Sequence, residues 1–197
     1  MGNLLSVYHA LEMVGAEVKI LNHPDNLKDA DRIVLPGVGA FRDCMENLKE
    51  MGFVEALNEF ALHQNKPILG ICLGMQAMAR RSFEGGEFQG LGWFDADVVR
   101  LQPNNPALRV PQIGWNEVRY LQESPLFAGL PISPDFYFVH SYSMKLDGGV
   151  NVDAFCDYGG IVTAAVRKKN IFATQFHPEK SQDYGLRIIE NFLKWNP

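Results

Sequence analysis

The cysteine at position 72 stands in a pattern typical of a catalytic nucleophile. It follows the apolar residues 67–69, lies between Gly70 and Gly74, and precedes the helix-forming residues 75–81. This order of strand, turn and helix is the layout of a nucleophile elbow, in which glycines permit a tight turn and leave room for a substrate. The helix would point its first N–H groups at the sulfur, which stabilises a thiolate. A small cysteine packed in the core at a β–α turn shows the same pattern. Whether Cys72 is catalytic or structural therefore depends on whether a general base lies near it.

Cysteine catalysis needs a general base and a third group that orients the base. His177 fits the role of base, because it ends the predicted strand 171–176 and is followed by a proline and Glu179. Since residues two apart in an extended chain project to one side, the Glu179 carboxylate can hold the imidazole. Ligands bind at strand ends in open α/β folds, and Cys72 also follows a strand, so a Cys72–His177–Glu179 triad is predicted. His140 follows another predicted strand, and the sequence does not decide between a catalytic and a structural role for it.

Attack on a carbonyl also needs N–H donors for the developing oxyanion. The N–H of Leu73, directly after the nucleophile, is the natural first donor. Residues 36–39, with the sequence Pro-Gly-Val-Gly, end another predicted strand and can supply a second donor near Gly37 or Val38. The same residues would otherwise form a simple strand-ending turn, and they lack the lysine and spacing of a P-loop.

The elements predicted for the first half of the chain alternate between helix and strand. Apolar residues at helical spacing predict a first helix that Gly15 ends, and residues 41–64 are predicted to be helical with a break near Gly52. Strands are predicted at residues 17–21, 32–35 and 68–71. This alternation favours a parallel sheet covered by helices on both faces.

Beyond Gly92 the pattern changes to short strand-like segments separated by turns, which favours antiparallel pairing. A hairpin turn is predicted at residues 167–170 and a final helix at residues 184–195. The predicted strands are residues 96–101, 115–120, 136–139, 160–166 and 171–176. The predicted fold is therefore α/β, with a mostly parallel central sheet, helices on both faces and an antiparallel C-terminal portion.

Composition excludes several classes of protein. With 197 residues and 47% apolar side chains, residues 1–197 are expected to form a single globular domain. A net charge of −5 offers no basic surface for nucleic acid or an anionic membrane, and no apolar run approaches the roughly 18 residues that span a bilayer. Three widely spaced cysteines, Cys44, Cys72 and Cys156, form neither a disulfide framework nor a zinc pattern. We expect free thiols in a reducing cytoplasm.

Three motifs together resemble those of the class I (triad) glutamine amidotransferases, a family with a flavodoxin-like fold. The motifs are residues 36–39, residues 70–76 and residues 176–181, and the likeness extends over almost the whole chain. Within the family, residues 111–116 and 137–142 and the methionine at position 75 are most similar to the glutaminase subunits of imidazole glycerol phosphate synthases.

The resemblance implies hydrolysis of glutamine without a cofactor or metal. In such a reaction Cys72 attacks the side-chain amide, His177 protonates the departing ammonia, and water releases glutamate from the thioester. Gln76, one turn after Cys72, can face the pocket, and Glu84 could pair with the substrate ammonium or be a solvated loop acid. The positions that match the glutamine-binding residues of the family are Gly39, Gln76, Glu84, Ser141 and Tyr142.

The resemblance also implies a partner, a (β/α)8-barrel cyclase subunit that receives ammonia through a protected channel. That subunit makes imidazole glycerol phosphate and releases an aminoimidazole carboxamide ribotide. A tryptophan at position 115 suits an interface anchor, although a buried core tryptophan is the comparable alternative. The positions that match the partner-facing side are Asn3, Trp115, Asn116, Tyr137 and Lys180.

The amino terminus departs from the family pattern. Members begin with a strand and an Asp-Tyr-Gly-x-Gly-Asn-like loop, of which only residues 1–3, Met-Gly-Asn, are present. We therefore expect a domain that lacks its first strand and is poorly stable alone, because the loss would expose an apolar sheet edge.

Three functions are compatible with the sequence. The first is the glutaminase half of a histidine-biosynthesis enzyme, which the motifs favour. The second is the same chemistry in a paralogue that feeds ammonia to another pathway, such as surface-sugar synthesis. The third is a non-catalytic flavodoxin-like interaction module, against which an intact triad argues.

Overall fold

The computed structural model describes residues 4–149 and 151–197. The helices are α1 (Leu4–Met13), α2 (Phe41–Glu50), α3 (Phe53–Asn58), α4 (Leu73–Ala77) and α5 (Gln182–Lys194). A π-helical turn, Glu59–His63, continues α3, and short 3-10 helices occur at Pro24–Asp29, Pro125–Phe127, Asp147–Gly149 and Pro178–Lys180. The strands are β1 (Ile33–Gly37), β2 (Ile68–Cys72), β3 (Ala79–Ser82), β4 (Phe88–Gln89), β5 (Phe94–Arg100), β6 (Gln112–Tyr120), β7 (Asp135–His140), β8 (Tyr142–Leu146), β9 (Val152–Asp157), β10 (Ile161–Lys168) and β11 (Ile171–Thr174).

Two sheets organise these strands. The larger has the order β1-β2-β11-β10-β9-β6-β7, and the smaller has the order β4-β3-β5-β8. In the larger sheet β1, β2 and β11 run parallel, and the remaining neighbours are antiparallel. The α/β fold class is confirmed, but the parallel portion comprises these strands rather than most of the sheet. Short turns join several of the later strands, and a parallel pair would need a long crossover.

Apolar cores lie on both faces of the parallel strands, as the sequence predicts. Successive side chains of a strand point to opposite faces, and β2 is buried on both. Leu69 packs in the core that includes residues of α1 and α5. Ile68 packs in the core that includes residues of α2 and α3. The parallel strands that carry the predicted nucleophile are thus held from both sides.

Residues 17–21 correct one of the sequence predictions, because they do not form a strand. Val18 packs against the core, while Ile20 is 43% exposed. The alternation of apolar residues is present, but no strand of the described chain pairs with this segment. A strand needs a hydrogen-bonded neighbour as well as the alternating pattern.

The helix after the elbow is also shorter than predicted. Residues 75–81 look helix-forming, yet α4 ends at Ala77 and the chain enters β3. Pairing of β3 with β5 brings Asp97 between two arginines, accepting from Nε of Arg80 at 2.7 Å and of Arg81 at 3.0 Å. These hydrogen bonds lower the pKa of Asp97 to about 2. Pairing with a distant strand has overridden the local helix propensity.

The other predicted boundaries lie close to the observed ones. Gly15 follows α1 with a positive φ of 86°, and Gly52 separates α2 from α3 with a φ of 72°. The hairpin turn between β10 and β11 lies where residues 167–170 predict it.

In the described part of the chain no helix is long and apolar enough to cross a membrane.

Candidate active site

Cys72 occupies a strained turn between a strand and a helix. It is the last residue of β2 and the N-cap of α4, with φ 54° and ψ −108°. A non-glycine residue in such a region costs about 1–3 kcal/mol, and this cost is typically stored at functional sites. The observed geometry is that of the elbow predicted from the sequence.

The glycines around Cys72 make room for backbone. A Cβ on Gly74 would lie 1.8 Å from the carbonyl oxygen of Leu35 in β1, far inside van der Waals contact. A Cβ on Gly70 would lie 3.0 Å from the carbonyl oxygen of Gly74 and 2.8 Å from Cε of Met78. The turn is therefore packed directly against the neighbouring strand. From the sequence we expected these glycines to leave room for a substrate, but the close backbone packing is the stronger reason for glycine.

His177 and Glu179 lie beside the cysteine. His177 Nδ1 is 2.7 Å from Glu179 Oε1, and the two side chains are 1% and 0% exposed. Burial lowers the pKa of His177, but hydrogen bonds and attraction from Cys72 and Glu179 outweigh it and raise the pKa to about 9. With Nδ1 engaged by Glu179, Nε2 is the ring atom left to exchange a proton with the sulfur. The order thiol, imidazole, carboxylate is the one that a triad requires.

The Glu179→Gln variant removes the negative charge beside His177 and keeps nearly the same side-chain shape. We expect glutamate release from glutamine to fall by about 10³-fold or more. The pKa of His177 should drop from about 9 toward its ordinary value, because the carboxylate no longer stabilises the imidazolium. An NMR pH titration of His177 and a glutamate assay measure the two effects, with Glu50→Gln, on an exposed helix end, as the matched control.

The pH dependence of stability is a second way to compare the parent chain with Glu179→Gln. A folded pKa above the ordinary value of 6.5 means that charged His177 stabilises the fold fully below pH 6.5. This stabilisation is lost as the pH rises through about 9, so the free energy of unfolding should decline over that window. The decline should be smaller in Glu179→Gln, and an unchanged pH profile in that variant would contradict the pairing.

The predicted oxyanion donors adjoin the sulfur on two sides. Leu73 is the first residue of α4, whose opening N–H groups have no partner within the helix. Gly37 is the register partner of Cys72 in the parallel β1–β2 pair, and a Cβ on it would lie 2.9 Å from Cβ of Leu73. Val38 follows and is 47% exposed, and Gly39 has a φ of 104°. The chain that carries the second donor thus runs alongside the elbow.

Predicted glutamine-binding residues converge next to the triad. Gln76 is buried in α4 and donates through Nε2 to the carbonyl oxygen of Tyr142 at 2.8 Å. Ser141 precedes Tyr142, and its carbonyl oxygen accepts from the N–H of Leu101 at 2.9 Å. These contacts fix the backbone at the start of β8 next to the helix that begins at Cys72.

Glu84 connects this region to the segment after Gly39. Its Oε2 accepts from the N–H of Phe41, the first residue of α2, at 2.8 Å. A carboxylate at a helix amino end is stabilised by the unpartnered N–H groups there. Glu84 is therefore a helix cap and not only the solvated loop acid that the sequence leaves as an alternative. It caps α2 at Phe41, which is two residues after Gly39 in the chain.

A buried glutamine that the sequence reasoning missed also contacts the sulfur. Gln175 is fully buried, and its Nε2 donates to Cys72 Sγ at 3.7 Å. Its Oε1 accepts from Gln76 Nε2 at 3.0 Å. Gln175 lies two residues before the predicted base, and this closeness in the sequence was the available signal. The structure places Glu179 in the 3-10 helix Pro178–Lys180, so a tight turn and not strand alternation brings it to His177.

His140, left ambiguous by the sequence, has a structural role. Burial lowers its pKa to about 4, and the nearby His177 adds to the effect. Its Nδ1 lies 2.8 Å from the carbonyl oxygen of Tyr142, which can only accept, so Nδ1 carries the proton. The other ring nitrogen lies 3.1 Å from the amide of Gln112 and needs a donor. A half-turn of that amide supplies one and gives Gln112 Nε2, otherwise without a hydrogen bond, its partner.

The described residues matched to a partner-facing side form a surface patch on β6, β7 and the 3-10 helix Pro178–Lys180. Trp115 is 49% exposed, which excludes the buried core tryptophan, and its ring meets Tyr137 edge-on at 6.0 Å. Lys180 Nζ lies 6.0 Å from the centre of the Tyr137 ring, and Asn116 donates to the carbonyl oxygen of Asp157 at 2.9 Å. Asn3 lies outside the described residues. We name the surface of Trp115, Asn116, Tyr137 and Lys180 the tryptophan patch.

The tryptophan patch connects directly to the predicted base. The N–H of His177 donates to the carbonyl oxygen of Tyr137 at 2.9 Å. The N–H of Tyr137 donates to Ser181 Oγ at 3.0 Å, and that hydroxyl donates to the carbonyl oxygen of His177 at 2.6 Å. Backbone contacts therefore hold His177 against β7, the strand that carries the Tyr137 ring of the tryptophan patch.

Fold and site define the class of protein. The family model for glutamine amidotransferase class-I matches residues 2–195, and the chain belongs to this family. It is 49% identical over 193 residues to imidazole glycerol phosphate synthase subunit HisH 1 of Campylobacter jejuni (strain RM1221), covering 98% of this chain and 95% of that protein. It is 46% identical over 206 residues to subunit HisH of Mesorhizobium japonicum, covering 100% and 95%.

Solved structures support the fold. The chain matches a crystal structure of a glutamine amidotransferase with a TM-score of 0.74 at 22% identity, covering 96% of this chain and 92% of that one. A glutamine amidotransferase from Thermotoga maritima matches with a TM-score of 0.57 at 20% identity, covering 91% and 67%. At these identities the likeness shows the fold alone.

Proposed function

We propose that this chain is the glutaminase subunit of an imidazole glycerol phosphate synthase, hydrolysing L-glutamine to glutamate and ammonia for histidine biosynthesis. The observation that carries the chemistry is the buried His177–Glu179 pair beside Cys72 at a strained elbow. The pathway is supported by the HisH relatives at 46–49% identity over nearly the full chain.

The geometry supports a thioester mechanism. Cys72 attacks the side-chain carbonyl carbon of glutamine, and the N–H groups of Leu73 and of the Gly37–Val38 segment receive the oxyanion. At neutral pH His177 holds a proton, since its pKa is about 9, and it gives this proton to the departing ammonia. Water then attacks the thioester with His177 as the base, which releases glutamate and restores the thiolate.

Glutamine itself is proposed to lie against the groups around α4. Gln76 and the backbone of Ser141 and Tyr142 frame the pocket, and Glu84 offers a carboxylate for the substrate ammonium. Gly39, with its positive φ and open surroundings, allows the backbone to approach the substrate closely. A reducing compartment such as the cytoplasm suits the catalytic thiol and the free Cys44 and Cys156.

The partner is proposed to be a (β/α)8-barrel cyclase subunit that docks on the tryptophan patch and receives the ammonia. The exposed Trp115 and the half-buried Tyr137 are aromatic residues of the kind enriched at interface centres, and Lys180 and Asn116 supply polar groups beside them. Because Tyr137 holds the His177 backbone, docking there would act next to the triad.

Removal of the exposed tryptophan ring tests whether the cyclase subunit docks on the tryptophan patch and whether docking acts on the triad. Trp115→Ala should weaken binding of the cyclase subunit by about 30-fold or more, because aromatic anchors dominate interfaces. Met13→Ala, which removes an exposed apolar side chain of α1, should leave binding unchanged. Titration calorimetry measures the binding, and glutamate release with and without the cyclase measures the activity. Equal affinities for the two variants would exclude the tryptophan patch as the docking site.

A further inference from the structure

We propose that Gln175 is a positioning residue for the nucleophile, holding the Cys72 sulfur as a thiolate and linking it to Gln76 in the substrate pocket. The inference rests on the proposed function, because it concerns the same thiol. It adds a neutral hydrogen-bond donor to the triad and the oxyanion donors.

The placement of Gln175 is set by its strand. It follows β11 directly and precedes His177 by two residues, and both side chains hydrogen-bond to Cys72. Its side chain is fully buried, where an amide without hydrogen-bond partners would destabilise the fold. Both ends of the amide are satisfied, one by the sulfur and one by Gln76.

The orientation of the amide follows from an acceptor at the other end of the chain of hydrogen bonds. The carbonyl oxygen of Tyr142 can only accept, so Gln76 presents its NH₂ group there, at 2.8 Å. The second N–H of that group requires an acceptor, which is Gln175 Oε1 at 3.0 Å. Gln175 must then direct its own NH₂ group at Cys72 Sγ. A rotated amide would set two donors against each other and face the thiolate with an oxygen.

This arrangement has a consequence for each half of the reaction. An N–H group bonds more strongly to a charged acceptor than to a neutral one, so Gln175 favours the thiolate over the thiol and over the thioester sulfur. It therefore raises the reactive fraction before attack and stabilises the sulfur as a leaving group when water cleaves the thioester. His177 gains and loses a proton during the cycle, whereas the amide stays neutral and fixed.

The Gln175→Met variant, similar in length and without an N–H, tests the role. Alkylation of Cys72 by iodoacetamide, followed by peptide mapping across a pH series, should be about tenfold slower at pH 7, with the profile displaced to higher pH. The matched control is Gln112→Met, another buried glutamine, which contacts His140 and not the sulfur. The control should keep the parent profile, and a merely structural role for Gln175 would move stability without moving the profile.

A measurement on the parent chain covers the case in which Gln175→Met does not fold. One Nε2 proton of Gln175 should shift downfield in the NMR spectrum as the thiol ionises, and this shift should be absent in Cys72→Ala. A parent-like alkylation profile in folded Gln175→Met, or a Gln175 amide insensitive to the ionisation, would overturn the proposal. Failure of the parent to release glutamate would instead contradict the proposed function, since alkylation and NMR report on the thiol without turnover.

Discussion

Cys72→Ala is expected to lower glutamate release from glutamine by at least about 10⁴-fold, because loss of a covalent nucleophile removes the chemical step itself. No other thiol can substitute at neutral pH. Burial raises the pKa of Cys44 to about 11 and that of Cys156 to about 12, so both stay protonated. A steady-state glutamate assay in the presence of the cyclase subunit measures the effect.

Cys156→Ala is the control for this substitution. It removes a buried thiol of β9 from the apolar core without touching the elbow. This variant should retain glutaminase activity of the parent order while losing some stability. Comparable activities for the two alanine variants would contradict the assignment of Cys72 as the nucleophile.

Gly74→Ala is expected to lower the free energy of unfolding by about 3 kcal/mol or more, from a single methyl group. The new Cβ would lie 1.8 Å from the carbonyl oxygen of Leu35, so α4 and β1 would have to separate. That movement would also displace Gly37, the register partner of Cys72, and activity should fall with stability. Urea unfolding measures the free-energy change.

Gly129→Ala provides the comparison for backbone strain alone. Gly129 has a φ of 79°, but a Cβ there would meet nothing within 4 Å. We expect a loss of about 1 kcal/mol, the cost of placing alanine in the left-handed region. If the two substitutions cost the same, close packing of α4 on β1 is not what requires glycine at position 74.

The sequence anticipates that Cys72, His177 and Glu179 lie close together, because its signals are local. The elbow pattern around Cys72 and the two-residue spacing of His177 and Glu179 are both set by short segments with defined backbone geometry. Strand ends then bring them together, because β2 and β11 are parallel neighbours. Adjacent parallel strands place their carboxyl ends at one edge of the sheet, so the meeting point follows from topology.

Features that depend on long-range pairing could not be read in this way. The end of α4 at Ala77 is decided by pairing of β3 with β5 and by Asp97, which no local propensity reveals. Residues 17–21 have the alternation of a strand without a neighbour. The contact of Gln175 with Cys72 depends on how two buried amides satisfy each other across the site.

The most direct test of the account is an acid-quenched reaction of the chain with glutamine, analysed by peptide mass spectrometry. We expect a glutamyl group on the peptide that contains Cys72 and no such group in Cys72→Ala. Glutamate formation with the glutamyl group on another residue, or its persistence in Cys72→Ala, would contradict the thioester mechanism.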